Sequence, residues 1–598
     1  MSKWKFNFRN KAEPIKTVPD QPSPAPKPPA LKLQYELVVL FIIILTFILL
    51  GWNSLKQESV TIDEFAHLPA GLSYLRETDF RLYPHSPPLV RMIAALPLVW
   101  SKVVLPLKSG WTDGNQYEMG EEFMRENARS YQAIFVRARM MILFLGVILI
   151  ALSWWWARSL YGSWSGLMAA TLTGFCPNIM AHSGLVTTDL GTALAFLSSV
   201  FSFWLYCRKP SIFRMGAAGI MLGITLLCKF TSLIMIPILI CLGAGYFYLG
   251  PKTQSWKKWI RDFILLLLFS WITLNTGYFW KGFGTTLDKY HFVSRQVPSL
   301  TSFLPAQTPI PLPFDYVRGF DLQSRENDAH YSAYLFGKIS LVGWRYYYLV
   351  AMAVKMTIGS LGLVLAGMFS LGFGRRVWRD ELFVLIPPLG VIGAISLLTQ
   401  INLGLRYILP ALPFFYILSS RLAPSLFHAK TWLRALALIL LASHIFSNFL
   451  IYPHYLSYFN LAAGGPKNGY KILVDSNLDW GQDLIHLKEY MDQNKLDRIC
   501  LVYFGNADPG IYGIQYRLPY RGEQCDQLAA SQNFLAGIPS FLRDHTFFLV
   551  VPQDTFSWLK NERPIGLVGY SIKIFDLKNN DSFQKGIYGP NQECPIKN

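Results

Sequence analysis

Apolar runs that approach the thickness of a bilayer recur along residues 37–452, separated by short polar connections. The first, Leu37 to Trp52, follows a tail of residues 1–34 that carries seven Lys or Arg and the segment PDQPSPAPKPP. Such a composition predicts a disordered tail. The run after it lacks a small-residue cleavage site and predicts a signal anchor that stays in the membrane. Further spans are predicted at 134–156, 164–182, 189–206, 214–228, 230–250, 262–279, 346–372, 382–399, 404–423 and 432–452. Several lie near the lower length limit for crossing about 30 Å of hydrocarbon. Two long polar stretches interrupt the series, at 53–133 and 280–345. The second, rich in aromatics, Pro and small residues, predicts short helices on a membrane surface.

After Tyr452 the pattern changes. ICLVYF (499–504), HTFFLVV (545–551) and GYSIKIFDL (569–577) have strand composition, and DLIHLKEYMDQN (483–494) reads as an amphipathic helix. The expected fold class is therefore a polytopic α-helical membrane protein of about 11 transmembrane helices with a small C-terminal α/β domain. Its expected parts are a basic tail (1–34), a transmembrane domain (35–452) with outer loops 53–133 and 280–345, and an extracytoplasmic domain (453–598). No internal repeat is apparent.

Composition agrees: the 598 residues are 52% hydrophobic and 15% charged, where soluble proteins carry about a quarter charged residues. The net charge of +18 raises nucleic acid as a partner, but its distribution argues for a bilayer. The connections CRKPSIFR (207–214), PKTQSWKKWIR (251–261), GRRVWRDE (374–381) and HAKTWLR (428–434) are basic, and the turns between them are nearly free of Lys and Arg. That alternation is the positive-inside pattern. Eleven spans with a cytoplasmic N-terminus place the C-terminal domain outside. Cys176, Cys207, Cys228 and Cys241 fall in or beside apolar spans, as small buried hydrophobes do. Cys500, Cys525 and Cys594 lie in the C-terminal region; outside the cytoplasm they could form one disulfide with one thiol left over, a question the sequence leaves open, and the absence of CxxC argues against a thiolate metal site.

The candidate chemistry gathers on one side of this topology. Asp63 and Glu64 follow the first span, with His67 one helical turn on and His85 in a His-Ser-Pro-Pro-Leu segment. CPNIMAHSGLVTTD (176–189) supplies His182 and Asp189, though an Asp at a helix start is also an ordinary N-cap. Lys229 and Arg406 stand at the outer ends of spans, where they either snorkel or neutralise a phosphate. In DSNLDWGQDL (475–484), Asp475, Asp479 and Asp483 recur every fourth residue beside Trp480. On one helical face they would bind a cation or sugar hydroxyls, or join the domain to the membrane part. The spacing is not that of a calcium loop. No nucleotide-binding loop or hydrolase motif occurs in a convincing context, which leaves a substrate already activated outside the cytoplasm. A sugar on a polyprenyl phosphate meets that requirement. Its transfer needs a carboxylate base, here Asp63, and a cation at the leaving phosphate, here Lys229 or Arg406.

IDEFAH (62–67), HSPPL (85–89), CPNIMAHSGLVTTD (176–189), CKFT (228–231) and NLGLRYILP (402–410) together resemble the GT-C superfamily of lipid-phosphate-sugar glycosyltransferases. The branch is that of the protein O-mannosyltransferases and the bacterial aminoarabinose transferase of lipid A. DSNLDWGQDL looks like a feature of a bacterial subgroup. The resemblance implies a GT-C fold and a catalytic carboxylate in the first outer loop, carried here by Asp63 with Glu64 in support. It implies donor-phosphate binding by Lys229 and Arg406. His67, His85, His182, Asp189, Asp479 and Trp480 are expected to shape the substrate site. The implied partners are a polyprenyl-phosphate sugar donor, a glycan, lipid or protein acceptor, and the bilayer, with no nucleic acid. A divalent cation is left open as cofactor. The implied location is a bacterial inner membrane with the C-terminal domain periplasmic. The competing reading is a transporter or flippase of a lipid-linked or anionic substrate, which would place charges near the midplane, with broken helices and an inverted repeat.

Overall fold

The computed structural model describes residues 31–249, 256–328, 331–372, 378–519, 525–544 and 547–578. Residues 1–30 of the tail, Cys594 and parts of the basic connections at 251–261 and 374–381 lie outside the described residues.

All eleven apolar runs are helical, but they are not equally long. Among the described residues, seven helices are long and apolar enough to cross a membrane: Leu33–Gln57, Ala128–Tyr161, Asp189–Arg208, Phe230–Tyr248, Lys257–Gly277, Trp378–Leu398 and Thr431–Ile451. The pair Tyr347–Lys355 and Ile358–Ser370, bent by 118°, makes an eighth if it counts as one span. The expected count of about 11 therefore exceeds what helix length supports among the described residues. The three remaining runs are shortened by backbone chemistry or by length. Pro177, which has no N–H to continue a helix, separates Ser163–Gly174 from Pro177–Ser183. The run at 404–423 opens with a 3-10 turn, Leu405–Ala411, holding Pro410, before the helix Leu412–Ser420. Ile212–Leu226 spans only 15 residues.

Close helix contacts are built on glycine. A Cβ on Gly219 would stand 2.6 Å from the Leu266 carbonyl oxygen, and one on Gly359 would stand 2.0 Å from that of Leu440. Small residues at such crossings let backbones approach where no hydrophobic force separates helix from lipid.

The first long loop is mainly helical, with Ile62–Arg76 and Leu89–Ala95 packed on each other. The second contains the expected short helices, Gln296–Thr301 and Phe314–Asp328, and also a small hairpin, Ala333–Leu335 with Lys338–Ser340.

Beyond the last long helix, residues 455–483 form 3-10 turns packed back on the helical part. Asn460 donates to the carbonyls of Ala353 and Met356 (2.6 and 2.9 Å), and buried Lys355 donates to those of Leu456 and Asn477 (2.8 and 2.5 Å). The helix Leu484–Gln493 follows, as read from its periodicity. The five-stranded sheet runs Tyr516–Arg517, Ile499–Val502, Gln527–Ser531, Ile572–Asp576, Gly566–Val568. The first three strands are parallel and the last two pair antiparallel. Ser540–Asp544 and Phe547–Val551 form a separate hairpin. Cys500 and Cys525 form a disulfide that ties the strand Ile499–Val502 to the approach of the next strand, with Cα atoms 5.9 Å apart.

Candidate active site

Two adjacent carboxylates have opposite fates because a helix begins between them and the preceding strand-like segment. Thr61 and Glu64 form a capping box. The Thr61 N–H and Oγ–H both donate to Glu64 Oε2, at 3.1 and 3.0 Å. Glu64 is thereby turned inward, where Arg139 binds it through Nε (2.8 Å) and Nη2 (2.6 Å), both side chains being fully buried. Arg139 spends its remaining N–H groups on the carbonyls of Leu55, Glu58 and Ser59. Asp63, one residue earlier, points the other way into an open cavity.

Glu64 also fixes the second polar loop. Its Oε1 accepts the Val186 N–H at 2.8 Å, and His67 Nδ1 lies 3.0 Å from the Val186 carbonyl oxygen. Burial holds the His67 imidazole down at about 4, so it is neutral at physiological pH. This clamp brings Asp189, three residues on from Val186, beside Asp63 and its cations.

Four charges then form one connected network. Arg406 Nη1 donates to Asp63 Oδ2 at 2.7 Å and lies 3.9 Å from Asp189 Oδ2. Lys229 Nζ donates to Asp189 Oδ1 at 2.7 Å. Arg406 lies 4.2 Å over the Trp480 ring and Lys229 4.5 Å over that of Tyr407, contacts that orient a cation without consuming its N–H groups. The turn carrying Arg406 starts at Gly404, whose φ of +147° favours glycine. A Cβ there would also meet Ser476 Oγ at 2.5 Å. The Leu405 N–H donates to Asn477 Oδ1 at 3.0 Å, and Ser476 Oγ–H donates to the Leu403 carbonyl. The 475–484 segment thus braces Arg406 from behind.

The cavity has a volume of about 250 Å³. Asp63, His67, His85, Lys229 and Arg406 line it, and it extends to Gln116, Tyr117, Gln323 and Tyr407. Burial and the nearby charges of Arg91, Arg318 and Arg325 hold His85 at about 4. A second, more apolar chamber of about 430 Å³ adjoins it, sharing Tyr117 and bounded by Ile62, Phe504 and Phe541.

The structure corrects several sequence expectations. Glu64 lies off the cavity with both oxygens engaged, so its support of Asp63 is positional. His182 is buried, with its ring 6.4 Å from that of Trp480, and stands behind the cavity wall. Trp480 is buried, does not line the cavity, and packs its ring under Arg406. Asp475, Asp479 and Asp483 do not share a helical face. The helix starts only at Leu484, and positive φ at Asp475 (58°) and Gly481 (86°) turns the backbone between them. Asp479 is buried, accepts from Ser531 Oγ–H and from the Gly481 N–H (3.3 Å), and does not line the cavity. Burial pushes its carboxyl up to about 7 from 3.8. A carboxyl raised in the folded state binds more protons there than in the unfolded chain, so its contribution is full below pH 4 and lost as pH rises through 7. Asp479→Asn should therefore gain melting temperature relative to wild type as pH goes from 4 to 8. Parallel melting profiles of the two proteins would contradict this. Sequence reasoning missed Arg139 as the partner of Glu64, and Tyr407 and Gln323 as cavity residues. The Thr61-x-x-Glu64 spacing was the one local signal for Glu64's inward turn.

Residues 133–275 match the family described as dolichyl-phosphate-mannose-protein mannosyltransferase. The matched stretch takes in Arg139, Asp189 and Lys229. No curated protein matches the chain. Among solved structures, ArnT from Cupriavidus metallidurans bound to undecaprenyl phosphate is similar at 11% identity, with 91% of this chain and 98% of that one covered and a TM-score of 0.43. The S. cerevisiae protein O-mannosyltransferase Pmt1-Pmt2 complex bound to the sugar donor is similar at 12% identity, with 70% and 89% covered and a TM-score of 0.46. The archaeal oligosaccharyltransferase AglB from Archaeoglobus fulgidus, in complex with an inhibitory peptide and a dolichol-phosphate, is similar at 13% identity, with 92% and 77% covered and a TM-score of 0.46.

Proposed function

We propose that the chain is an integral-membrane, inverting glycosyltransferase that moves a hexose or pentose from a polyprenyl-phosphate donor to an extracytoplasmic glycan, lipid or protein acceptor. The observation that carries this reading is the network Asp63–Arg406–Asp189–Lys229, in which Asp63, Arg406 and Lys229 line the cavity and buried Asp189 links the two cations. It joins a carboxylate to two cations fixed for an anion. The phosphate of the donor docks on Lys229 and Arg406 and competes with Asp63 for the guanidinium. Asp63 is thereby released to accept the proton of the acceptor hydroxyl. The acceptor oxygen attacks C1 from the face opposite the phosphate, the C1–O bond to phosphate breaks, and the charge on the leaving polyprenyl phosphate is met by the same cations. Gln116 and Gln323 face the space where sugar hydroxyls would sit.

The charges stand at helix ends. Asp189 opens Asp189–Arg208, Lys229 follows Ile212–Leu226, and Arg406 precedes Leu412–Ser420. This suits a head group at the membrane surface better than a midplane transport site. The Cys500–Cys525 disulfide and the basic short connections support an extracytoplasmic C-terminal domain, in a bacterium the periplasmic face of the inner membrane.

The test is release of polyprenyl phosphate, followed by mass spectrometry, from a panel of synthetic polyprenyl-phosphate sugars incubated with the reconstituted protein. Turnover of at least one donor is expected, and Lys229→Gln should raise its KM by about ten- to a hundredfold, the worth of a charge-assisted contact of about 1.5–3 kcal/mol. A folded protein that binds and turns over none of the panel rejects the reading.

A further inference from the structure

A second constellation lies apart from the cavity, where the last long helix hands the chain to the C-terminal domain. His454 stands three residues beyond Thr431–Ile451, and Asp483 and His486 stand at the start of Leu484–Gln493. His486 Nδ1 is 3.1 Å and His454 Nδ1 3.8 Å from Asp483 Oδ1, and one ligand atom from each residue fits within 4.8 Å of the others. A metal about 2.0–2.2 Å from each of three ligands in a tetrahedral arrangement holds them about 3.2–3.6 Å apart, so only small side-chain adjustments are needed. Among the described residues this is the one His and carboxylate cluster with such spacing.

Two further observations point to a ligand. Asp483 Oδ2 is already fixed by Gln482 Nε2 (2.9 Å) and Ser571 Oγ (2.6 Å), which aims Oδ1 at the two imidazoles as an outer shell does around a metal. A second buried carboxylate, Glu58, lies close enough to feel the charge of Asp483, and the Arg139 guanidinium that acts on Glu58 is bonded to Glu64.

We propose that His454, Asp483 and His486 bind one Zn2+-class ion, with water at the fourth position on the partly exposed His454 side. Two nitrogens and one carboxylate oxygen favour zinc over calcium or magnesium. The ion staples the end of the last long helix to the C-terminal domain. It also stiffens the segment in which the Ser59 N–H donates to the Gln482 carbonyl (2.8 Å) and the Ile62 N–H to that of Trp480 (3.2 Å). That segment sets both the Asp63 helix and the Trp480 ring under Arg406. The proposal is independent of the sugar-transfer reading.

The test uses the full chain, purified in detergent through a tag free of histidine, stripped with chelator, loaded with Zn2+ alone and desalted. Elemental analysis is expected to find about one zinc per chain and a melting temperature raised by zinc. Co2+ in its place should give the visible absorption of a four-coordinate nitrogen and oxygen site. His454→Gln and His486→Gln, each eluting as the wild type does, should retain less than a tenth of the metal and lose the zinc-dependent rise in melting. A wild type without stoichiometric zinc, or a folded variant of either kind that keeps it, overturns the site.

Discussion

Asp63→Asn is expected to slow sugar transfer by about 10²- to 10⁴-fold, the usual contribution of a positioned general base, with a melting temperature close to that of wild type. The change keeps the shape of the side chain and one oxygen acceptor for the Arg406 N–H now 2.7 Å away. Arg406 itself stays placed by the Trp480 ring and the nearby Asp189 carboxylate, so the fold loses little. Binding of the donor phosphate should survive, because in the proposed mechanism Asp63 competes with that phosphate for the guanidinium. The variant should therefore trap donor. Mass spectrometry of lipids co-purifying with the two proteins should find a polyprenyl-phosphate sugar enriched on Asp63→Asn. A variant that transfers at near wild-type rate would remove Asp63 from the chemistry. A different lipid retained equally by both proteins would move the transporter reading ahead.

What could be read from the chain and what could not follows from how each residue reaches its place. Asp63, His67, His85, Lys229 and Arg406 meet in one cavity. Each lies at or just beyond the end of an apolar run or in the loop after one, and polar residues at such ends are segregated to a common side by the bilayer pattern alone. The approximate extents of the helices were legible for the same reason. Breaks inside apolar runs were not, because Pro177 and Pro410 act through local backbone geometry that leaves the hydropathy unchanged. DSNLDWGQDL misled through its regular spacing. A four-residue recurrence of Asp implies a common face only if the backbone is helical, and the left-handed turns at Asp475 and Gly481 send the three side chains to three environments. Asp475 lies near Arg406, Asp479 meets Ser531, and Asp483 meets His486. Arg139 was hidden for a third reason. A basic residue near a helix end is by default an interfacial anchor, and its burial against Glu64, 75 residues away in sequence, is a property of the tertiary structure only.

Glu64→Gln, one residue from Asp63, should fail in the opposite way, losing the fold before the chemistry. Five hydrogen bonds converge on this carboxylate: two from Thr61, two from Arg139 and one from the Val186 N–H. An amide offers one oxygen acceptor, and its NH2 group would face donors. Arg139 would keep its full charge at 0% exposure without the carboxylate it is now bonded to. Removing one partner of a buried ion pair costs about 3–5 kcal/mol, enough to lower yield and melting temperature markedly in a marginally stable protein. Pairing the change with Arg139→Met removes the stranded charge, and the double variant should recover part of the lost melting temperature although the Val186 loop remains loosened. That loop carries Asp189, so the recovered protein should bind donor more weakly than wild type even with Asp63 intact. If instead Glu64→Gln melts like wild type and loses only transfer, Glu64 belongs with Asp63 in the reaction, and the capping-box reading of its orientation is wrong.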